Sequence, residues 1–364
     1  MDYLLIIAGI LFAFEFALFF WGIYKSQKLK RNEGFEPSVS IIVAARNEEK
    51  SIKPCLESLA LLDYPRDKIE IVIINDQSQD ITEDIIRDFI KNKQYFKLVN
   101  ADPGKDNLKG KTNALSQGIE ASSGEIILFT DADCIVPQTW VKETVSFFTE
   151  DVGIVGGFTL LKAKNTFEGL QSLDWLFVFG VACATSTLGI SLTGVGNNLA
   201  VRRSAYNKVG GYRQIPFSVT EDYALTRSIL KETGYQMVFP FSRNSLVISS
   251  PCFTLIDLYR QKIRWGVGGL DMITAGFVIF GVVFAFNLLL IAGLIFQPGF
   301  ILLLTVLLKI LIDFSFVSYL LIKTNKYRYI RYFIAFEIYF FLYVIILPSL
   351  AYLTKTVKWK DRKL

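Results

Sequence analysis

The stretch Glu125-Ile126-Ile127-Leu128-Phe129-Thr130-Asp131-Ala132-Asp133 is an apolar run that ends on two carboxylates. Its first five residues fit a buried strand. Asp131 and Asp133 follow, two apart in an extended turn, so both can approach one ligand. A carboxylate pair of that kind suits a hard divalent cation shared with a diphosphate. An Asp-x-Asp also arises by chance in solvated turns; its position after a buried strand favours the metal.

Upstream, strand and helix alternate. Residues 39–44 read as a short apolar strand, with helical character from Asn47 onward, and residues 70–74 as a second strand. Asp80-Ile81-Thr82-Glu83 resembles a capping box opening the next helix. Residues 97–99 are a weaker strand, and 112–121 a helix leading into 125–129. A β-α-β-α-β-α-β order implies an α/β fold with a mainly parallel sheet, covered by helices on both faces. Ligands of such sheets bind beyond the carboxyl ends of the strands. There the sequence places Ala45-Arg46-Asn47-Glu48, Asn75-Asp76-Gln77-Ser78 and Thr130-Asp131-Ala132-Asp133.

Both ends of the 364-residue chain are more apolar than this middle. Hydrophobic residues make up 52% of the whole and mean hydropathy is +0.38. Residues 3–24, broken only by Glu15, are long enough to cross a hydrocarbon core of roughly 30 Å as a helix. The basic run Lys25-Ser26-Gln27-Lys28-Leu29-Lys30-Arg31 comes after them and no small-residue cleavage site follows, which reads as a retained anchor. Three further spans are expected at 273–296, 300–322 and 330–353, the first two joined by the turn Gln297-Pro298-Gly299. The charged stretch 323–331 marks the cytoplasmic side. The expected organisation is an N-terminal anchor at 1–25, a cytoplasmic domain at 38–269 with interfacial helices, a membrane region at 270–354 and a basic tail at 355–364. That is a multi-pass protein of the cell (inner) membrane. Four spans put the tail outside, against the positive-inside tendency, so either one segment is re-entrant or interfacial or the tail is an exception. Glu15, Lys309, Asp313 and Glu337 fall within spans, where charge is costly. Lys309 and Asp313, four apart, can simply pair; a sharper reading has some of these residues lining an acceptor or product passage.

The net charge of +5 is mild, and the basic residues sit beside apolar segments, as membrane anchors and not as a nucleic-acid footprint. The chain has no histidine, which removes Ser-His-Asp and Cys-His catalysis and His-ligated zinc. A general base is then expected to be Asp or Glu, and a metal to take oxygen ligands, as magnesium or manganese does. Cys55, Cys134, Cys183 and Cys252 show neither metal spacing nor a CxxC, and read as buried or free thiols of a reducing compartment.

Two more stretches carry candidate chemistry. In Thr220-Glu221-Asp222, Thr220 reads as an N-cap and 223–233 as helix up to Gly234. Asp222 then lies in the first turn, where the helix dipole favours its anion, as a general base or as an ordinary helix stabiliser. In Gln261-Lys262-Ile263-Arg264-Trp265, Gln261 and Arg264 share a helix face. Arg can bind a diphosphate and Trp can face a sugar ring. An interfacial helix with Trp265 and Arg264 at the headgroups, beside Tyr259 and Arg260, fits the same residues. Residues 173–192 are apolar enough for another span, but they lie between Asp-Ala-Asp and Thr-Glu-Asp, which must share a compartment; an interfacial helix is expected.

Taken in order, these stretches resemble the family 2 glycosyltransferases, with their GT-A fold. Residues 39–49 resemble the family's opening, with Ala44 and Arg46 where Pro and Tyr are usual. Residues 75–82 match the second motif, Gly110-Lys111-Thr112-Asn113-Ala114-Leu115 and Asp131-Ala132-Asp133 continue it, and residues 194–203 resemble the acceptor-side loop. Thr220-Glu221-Asp222 looks like the TED motif and residues 261–265 like a full QxxRW. That combination is similar to the membrane-bound branch with cellulose, hyaluronan and poly-N-acetylglucosamine synthases and ceramide glucosyltransferase.

The resemblance implies a nucleotide-sugar donor, a uridine nucleotide, held by Ala45, Arg46, Glu48, Asp76, Lys111 and Asp131. It implies Mg2+ or Mn2+ on Asp131 and Asp133, Asp222 as general base, and Glu221, Gln261, Arg264 and Trp265 toward the acceptor or the diphosphate. The reaction it implies is inverting transfer of a hexosyl or N-acetylhexosaminyl group to a lipid or a growing glycan. The site would work at the membrane face among membrane lipids, without nucleic acid and with room for an oligomer. A sugar nucleotidyltransferase would share the sheet and the acidic ligands but would need neither TED, QxxRW nor spans. A non-catalytic membrane scaffold or transporter subunit would have the spans but no use for the ordered acids.

Overall fold

The computed structural model describes residues 1–104 and 108–354, with 358–359 and 362–363. The remaining positions of the basic tail lie outside the described residues. In chain order the elements begin with α1 (Asp2–Ser26), β1 (Val39–Ala45), α2 (Ile52–Ala60), β2 (Ile69–Asn75), α3 (Thr82–Ile90), β3 (Phe96–Asn100), α4 (Gly110–Glu120) and β4 (Ile126–Asp131). Next come α5 (Trp140–Val145), β5 (Val152–Gly156), β6 (Thr159–Leu161), α6 (Thr166–Thr187), β7 (Leu199–Arg202), α7 (Arg203–Lys208), α8 (Gly211–Gln214) and α9 (Glu221–Thr233). The last are β8 (Gln236–Val238), β9 (Val247–Ser249), α10 (Leu255–Gly269), α11 (Thr274–Phe296), α12 (Phe300–Lys323) and α13 (Phe333–Leu353). They fall into two compact units, Gln27–Leu160, Thr193–Ser250 and Trp359–Leu364 in one, Met1–Ser26, Leu161–Leu192 and Pro251–Lys358 in the other.

The first unit is α/β. Its seven-stranded sheet has the order β3-β2-β1-β4-β7-β5-β8. The four strands expected from the apolar runs are parallel neighbours, whereas β7 runs antiparallel to both β4 and β5. The register aligns Ala44 with Asp131, Ala45 with Asn75, and Asn75 with Asn100. All four parallel strands therefore release their chains at one edge. Ile41, Val43, Ile71, Ile73 and Leu128 face Leu56 and Leu59 of α2 and Trp140 and Val141 of α5 in one core. Each such large side chain contributes about 1.5–3 kcal/mol on burial. α4 crosses the other face at Gly118, where a Cβ would come within 2.4 Å of Ile74 and 3.0 Å of Ile42. Only glycine lets the helix lie that close.

Two expected helix starts differ. The first helix begins at Ile52 rather than near Asn47, because Asn47 takes a left-handed φ of 52° and turns the chain. The capping box is not formed. Asp80 receives the N–H of Thr82 at 3.0 Å, while Glu83 turns to Arg87 and Asn75.

The second unit is helical. α1, α11, α12 and the segment Tyr327–Leu353, which ends in α13, are long and apolar enough to cross a membrane. α11 and α12 are joined through Gln297-Pro298-Gly299 as expected. Within the unit α1 packs along α6, α11 and α12 through an aromatic seam. Phe12 meets Phe286 at 4.6 Å between ring centroids, and Phe16 meets Phe316 at 5.3 Å and Phe177 at 5.9 Å. The helix expected at 173–192 starts earlier, at Thr166. Most of its residues are enclosed by protein. Lys309 does pair with Asp313, at 2.7 Å, and also with Glu337, at 2.5 Å.

Candidate active site

The loops after β1 and β2 are stitched to each other. Asn47 N–H donates to Ser78 Oγ at 3.1 Å, Gln79 N–H to Asn47 Oδ1 at 2.8 Å, and Glu48 N–H to Thr82 Oγ1 at 2.8 Å. The carbonyl of Ala45 accepts from Asp76 N–H at 2.8 Å. Arg46 is buried between the loops, with Nη1 donating to the carbonyls of Asp76 at 2.7 Å and Gln77 at 3.2 Å. These bonds make Arg46 a brace for the strand-end loops, a role that its place in the motif did not reveal. Asp76 is buried beneath that brace.

Asp131 ends β4 and accepts from Lys111 Nζ at 2.6 Å. Lys111, in the first turn of α4, also reaches Glu221 Oε1 at 3.3 Å. Burial works to lower the pKa of this ammonium, but Asp131, Glu221 and Asp222 outweigh it and hold the pKa above the ordinary lysine range. Lys111 thus links the Asp-Ala-Asp turn to the start of α9.

Asp222 sits in the first turn of α9. Thr220 holds the N-cap position without a capping hydrogen bond from its side chain. Instead Asp222 is itself gripped: Oδ2 accepts from Gly196 N–H at 2.7 Å and Oδ1 from Tyr223 N–H at 2.8 Å. The loop that supplies Gly196 must approach closely. A Cβ on Gly194 would stand 2.5 Å from the backbone carbonyl carbon and oxygen of Asp222, and one on Gly196 would stand 3.1 Å from Oδ2. Burial and the neighbouring Glu221 push the Asp222 carboxyl up to about 6, against the pull of Lys111 and of the two N–H donors.

Asp133 is held by Ser249 Oγ at 2.9 Å and Ser250 N–H at 3.3 Å, both donating to Oδ2. A bridge between Ile135 and Ile248 brings that strand end to it. Burial, then Asp131 and Glu48, push the Asp133 carboxyl up to about 6. Among the described residues no cluster of three or more acidic, cysteine or histidine ligands stands ready to cage a metal. Two carboxylates carrying surplus negative charge nevertheless fit a magnesium- or manganese-type ion, which binds through one or two carboxylates and completes its shell with phosphate and water. Two buried thiols flank the pair, with Cys55 Sγ 3.6 Å from the Asp131 carbonyl and Cys134 Sγ 3.7 Å from Asp133 Oδ1.

Residues 194–203, expected to act together, divide by role. Asn198 ties the unit internally, accepting from Trp140 Nε1 at 2.9 Å and donating to the carbonyls of Phe158 and Ser245. Arg202 and Arg203 lie at the opposite edge of the sheet, where Arg203 donates to the carbonyls of Gly124 and Ile119. Gln261, Arg264 and Trp265 lie on α10 of the helical unit, where Trp265 is half-buried and its ring centroid is 5.2 Å from that of Trp175. Sequence reasoning missed Gly196, Ser249 and Ser250 as holders of the two aspartates. Their signal is spatial, at separations of 26, 116 and 117 residues.

Comparison with known proteins decides the family. Residues 126–354 match the model described as glycosyl transferase family group 2, and residues 40–210 match that of glycosyl transferase family 2. The chain belongs to the family 2 glycosyltransferases. This family 2 chain is 31% identical over 246 residues to a beta-monoglucosyldiacylglycerol synthase of Trichormus variabilis, covering 66% of the chain and 50% of the relative. It is 27% identical over 242 residues to a poly-beta-1,6-N-acetyl-D-glucosamine synthase of Staphylococcus epidermidis, covering 66% and 56%. The chain spans about half the length of these curated relatives. A mannosyltransferase of Pyrobaculum calidifontis, solved with GDP-Man and Mn2+, shares the GT-A fold. Its TM-score is 0.58 at 19% identity, over 92% of this chain and 99% of that one.

Proposed function

We propose that this chain transfers a hexosyl or N-acetylhexosaminyl group from a UDP-sugar to a lipid or growing glycan acceptor, with inversion at the anomeric carbon. It works at the face of the membrane that its four apolar helices cross, with the α/β unit cytoplasmic. The observation that carries this reading is the setting of Asp222, a half-buried carboxylate fixed by two backbone N–H groups and joined to Asp131 through Lys111 and Glu221. A carboxyl raised to about 6 is ionised at neutral pH yet basic enough to take a proton, which suits a general base.

In the reaction the acceptor hydroxyl oxygen bonds to the anomeric carbon while the bond from that carbon to the diphosphate oxygen breaks. The hydroxyl proton passes to Asp222, and the nucleoside diphosphate departs from the opposite face. Asp131 and Asp133 would hold a divalent cation, which would neutralise charge on the leaving diphosphate. Ala45, Arg46, Glu48 and Asp76 form the nucleotide side, with Arg46 acting through the loops it braces. Lys111 is placed to exchange its carboxylate partners for a phosphate. Glu221, Gln261, Arg264 and Trp265 serve the acceptor and diphosphate side. The relatives named for a glucosylated diacylglycerol and for a polymeric N-acetylglucosamine support the two acceptor classes equally.

The test is transfer by the purified full chain, given labelled nucleotide sugars with Mn2+ or Mg2+, and sizing of the product as lipid or polymer. Donor-dependent transfer that stops on chelation is the expected result. Absence of both transfer and donor hydrolysis across the panel overturns the reading.

A further inference from the structure

Lys262 occupies an unspecified position inside QxxRW, and the chemistry above gives it no role. Lys262 is 4% exposed, and its ammonium pairs with Asp174 of α6, which is 0% exposed. Burying two charges costs desolvation that their attraction only partly offsets, so such a pair is weak evidence of simple stabilisation. Its surroundings show what it does. Nζ of Lys262 lies 4.4 Å from the ring centroid of Trp265 and 4.9 Å from that of Tyr343 on α13. Trp175, next in sequence to Asp174, makes the 5.2 Å contact with Trp265. Helices α6, α10 and α13 thus converge on one ammonium, which is drawn to the indole face by the ring quadrupole. A lysine beside a half-buried ring would ordinarily extend its head to water. Asp174 holds it in.

We propose that the Lys262–Asp174 pair is a positioning device for Trp265, fixing the angle at which the indole meets the acceptor. Lys262 is the positioning residue, and it does not itself touch substrate. The inference rests on the reading of QxxRW as an acceptor-side motif. Asp174 pins the ammonium, and the ammonium pins the ring. Loss of the pair therefore weakens acceptor engagement and spares the donor.

The test uses the full chain in phospholipid nanodiscs, with whichever of UDP-glucose and UDP-N-acetylglucosamine the wild type turns over. Transfer to dioleoylglycerol or to a β-linked gluco-oligosaccharide is measured separately from donor hydrolysis. Removing one charge strands the other, so the informative variant is Lys262→Met combined with Asp174→Asn; Lys262→Arg keeps both the pair and the cation over the ring. The double variant is expected to raise acceptor KM about tenfold while donor KM and donor hydrolysis stay within about twofold, and Lys262→Arg to remain near wild type. An unchanged acceptor KM in the double variant, where Trp265→Ala raises it, overturns the inference and leaves the acceptor reading standing. A parallel loss of donor hydrolysis overturns it as well, since the pair would then be a general fastener of the fold. An unchanged acceptor KM in Trp265→Ala sinks the acceptor reading and this inference with it.

Discussion

The two edges of one sheet treat their carboxylates in opposite ways. At the amino edge Glu70 accepts from Ser40 Oγ at 2.7 Å, from Lys97 at 2.6 Å, and from the N–H groups of Ser123 and Gly124. Burial would raise this carboxyl, but Lys97, Ser123 and Ser40 outweigh it and hold it at about 2. At the carboxyl edge burial and like charges prevail, and Asp222 and Asp133 rise to about 6. A carboxylate whose lone pairs are all met by donors fastens the fold. One left with surplus charge is available for a proton or a cation.

That contrast makes separable predictions. Asp222→Asn should lower kcat by about 10²–10⁴-fold, the usual worth of a general base, with nucleotide binding retained in calorimetric titration. In the wild type, kcat/KM reports the free enzyme, so it should rise as pH rises through about 6, where Asp222 loses its proton. An acid limb near 4 would break the comparison. Gly194→Ala forces Asp222 off its seat without touching the carboxylate. A misplacement of that size should lower kcat by about 10²-fold, and the backbone clash should lower the melting temperature as well.

At the other edge the signs reverse. Glu70→Gln should cost about 1–3 kcal/mol of stability in denaturant titration and leave the kinetics of surviving enzyme near wild type. Because the Glu70 pKa is depressed on folding, its contribution is present above the unfolded value and fades as pH falls toward about 2. The variant should lack that acid-dependent loss. Lys97→Ala should cost less, about 0.2–1 kcal/mol, because Lys97 is half exposed while Ser40, Ser123 and Gly124 still serve the carboxylate. Equal losses from the two variants would show that the fastening is ionic and not a matter of satisfied lone pairs.

The parallel half of the sheet was legible because residues 39–44, 70–74 and 125–129 are dense in β-branched and apolar side chains with polar residues at their ends. The antiparallel half was not. β7 is four residues long inside a stretch read for its motif, and β5 carries glycines at 153 and 156. Asp131, Lys111, Glu221 and Asp222 were legible as motifs, and the structure adds the ion pairs between them. Arg46 could not be placed from sequence, since its partners are backbone carbonyls with no residue signature. The Lys262–Asp174 pair was equally hidden, 88 residues apart.

The thiols beside the Asp-Ala-Asp turn make this edge observable without a ligand. Cys55 and Cys134 are at most 1% exposed and lie against Asp131 and Asp133. A thiol reagent can reach them only when the end of β4 opens. Their alkylation rate, followed by peptide mass analysis, is therefore a built-in clock for breathing of this edge. A donor or metal that closes that edge should slow the clock at these two cysteines, with half-exposed Cys252 as the reference.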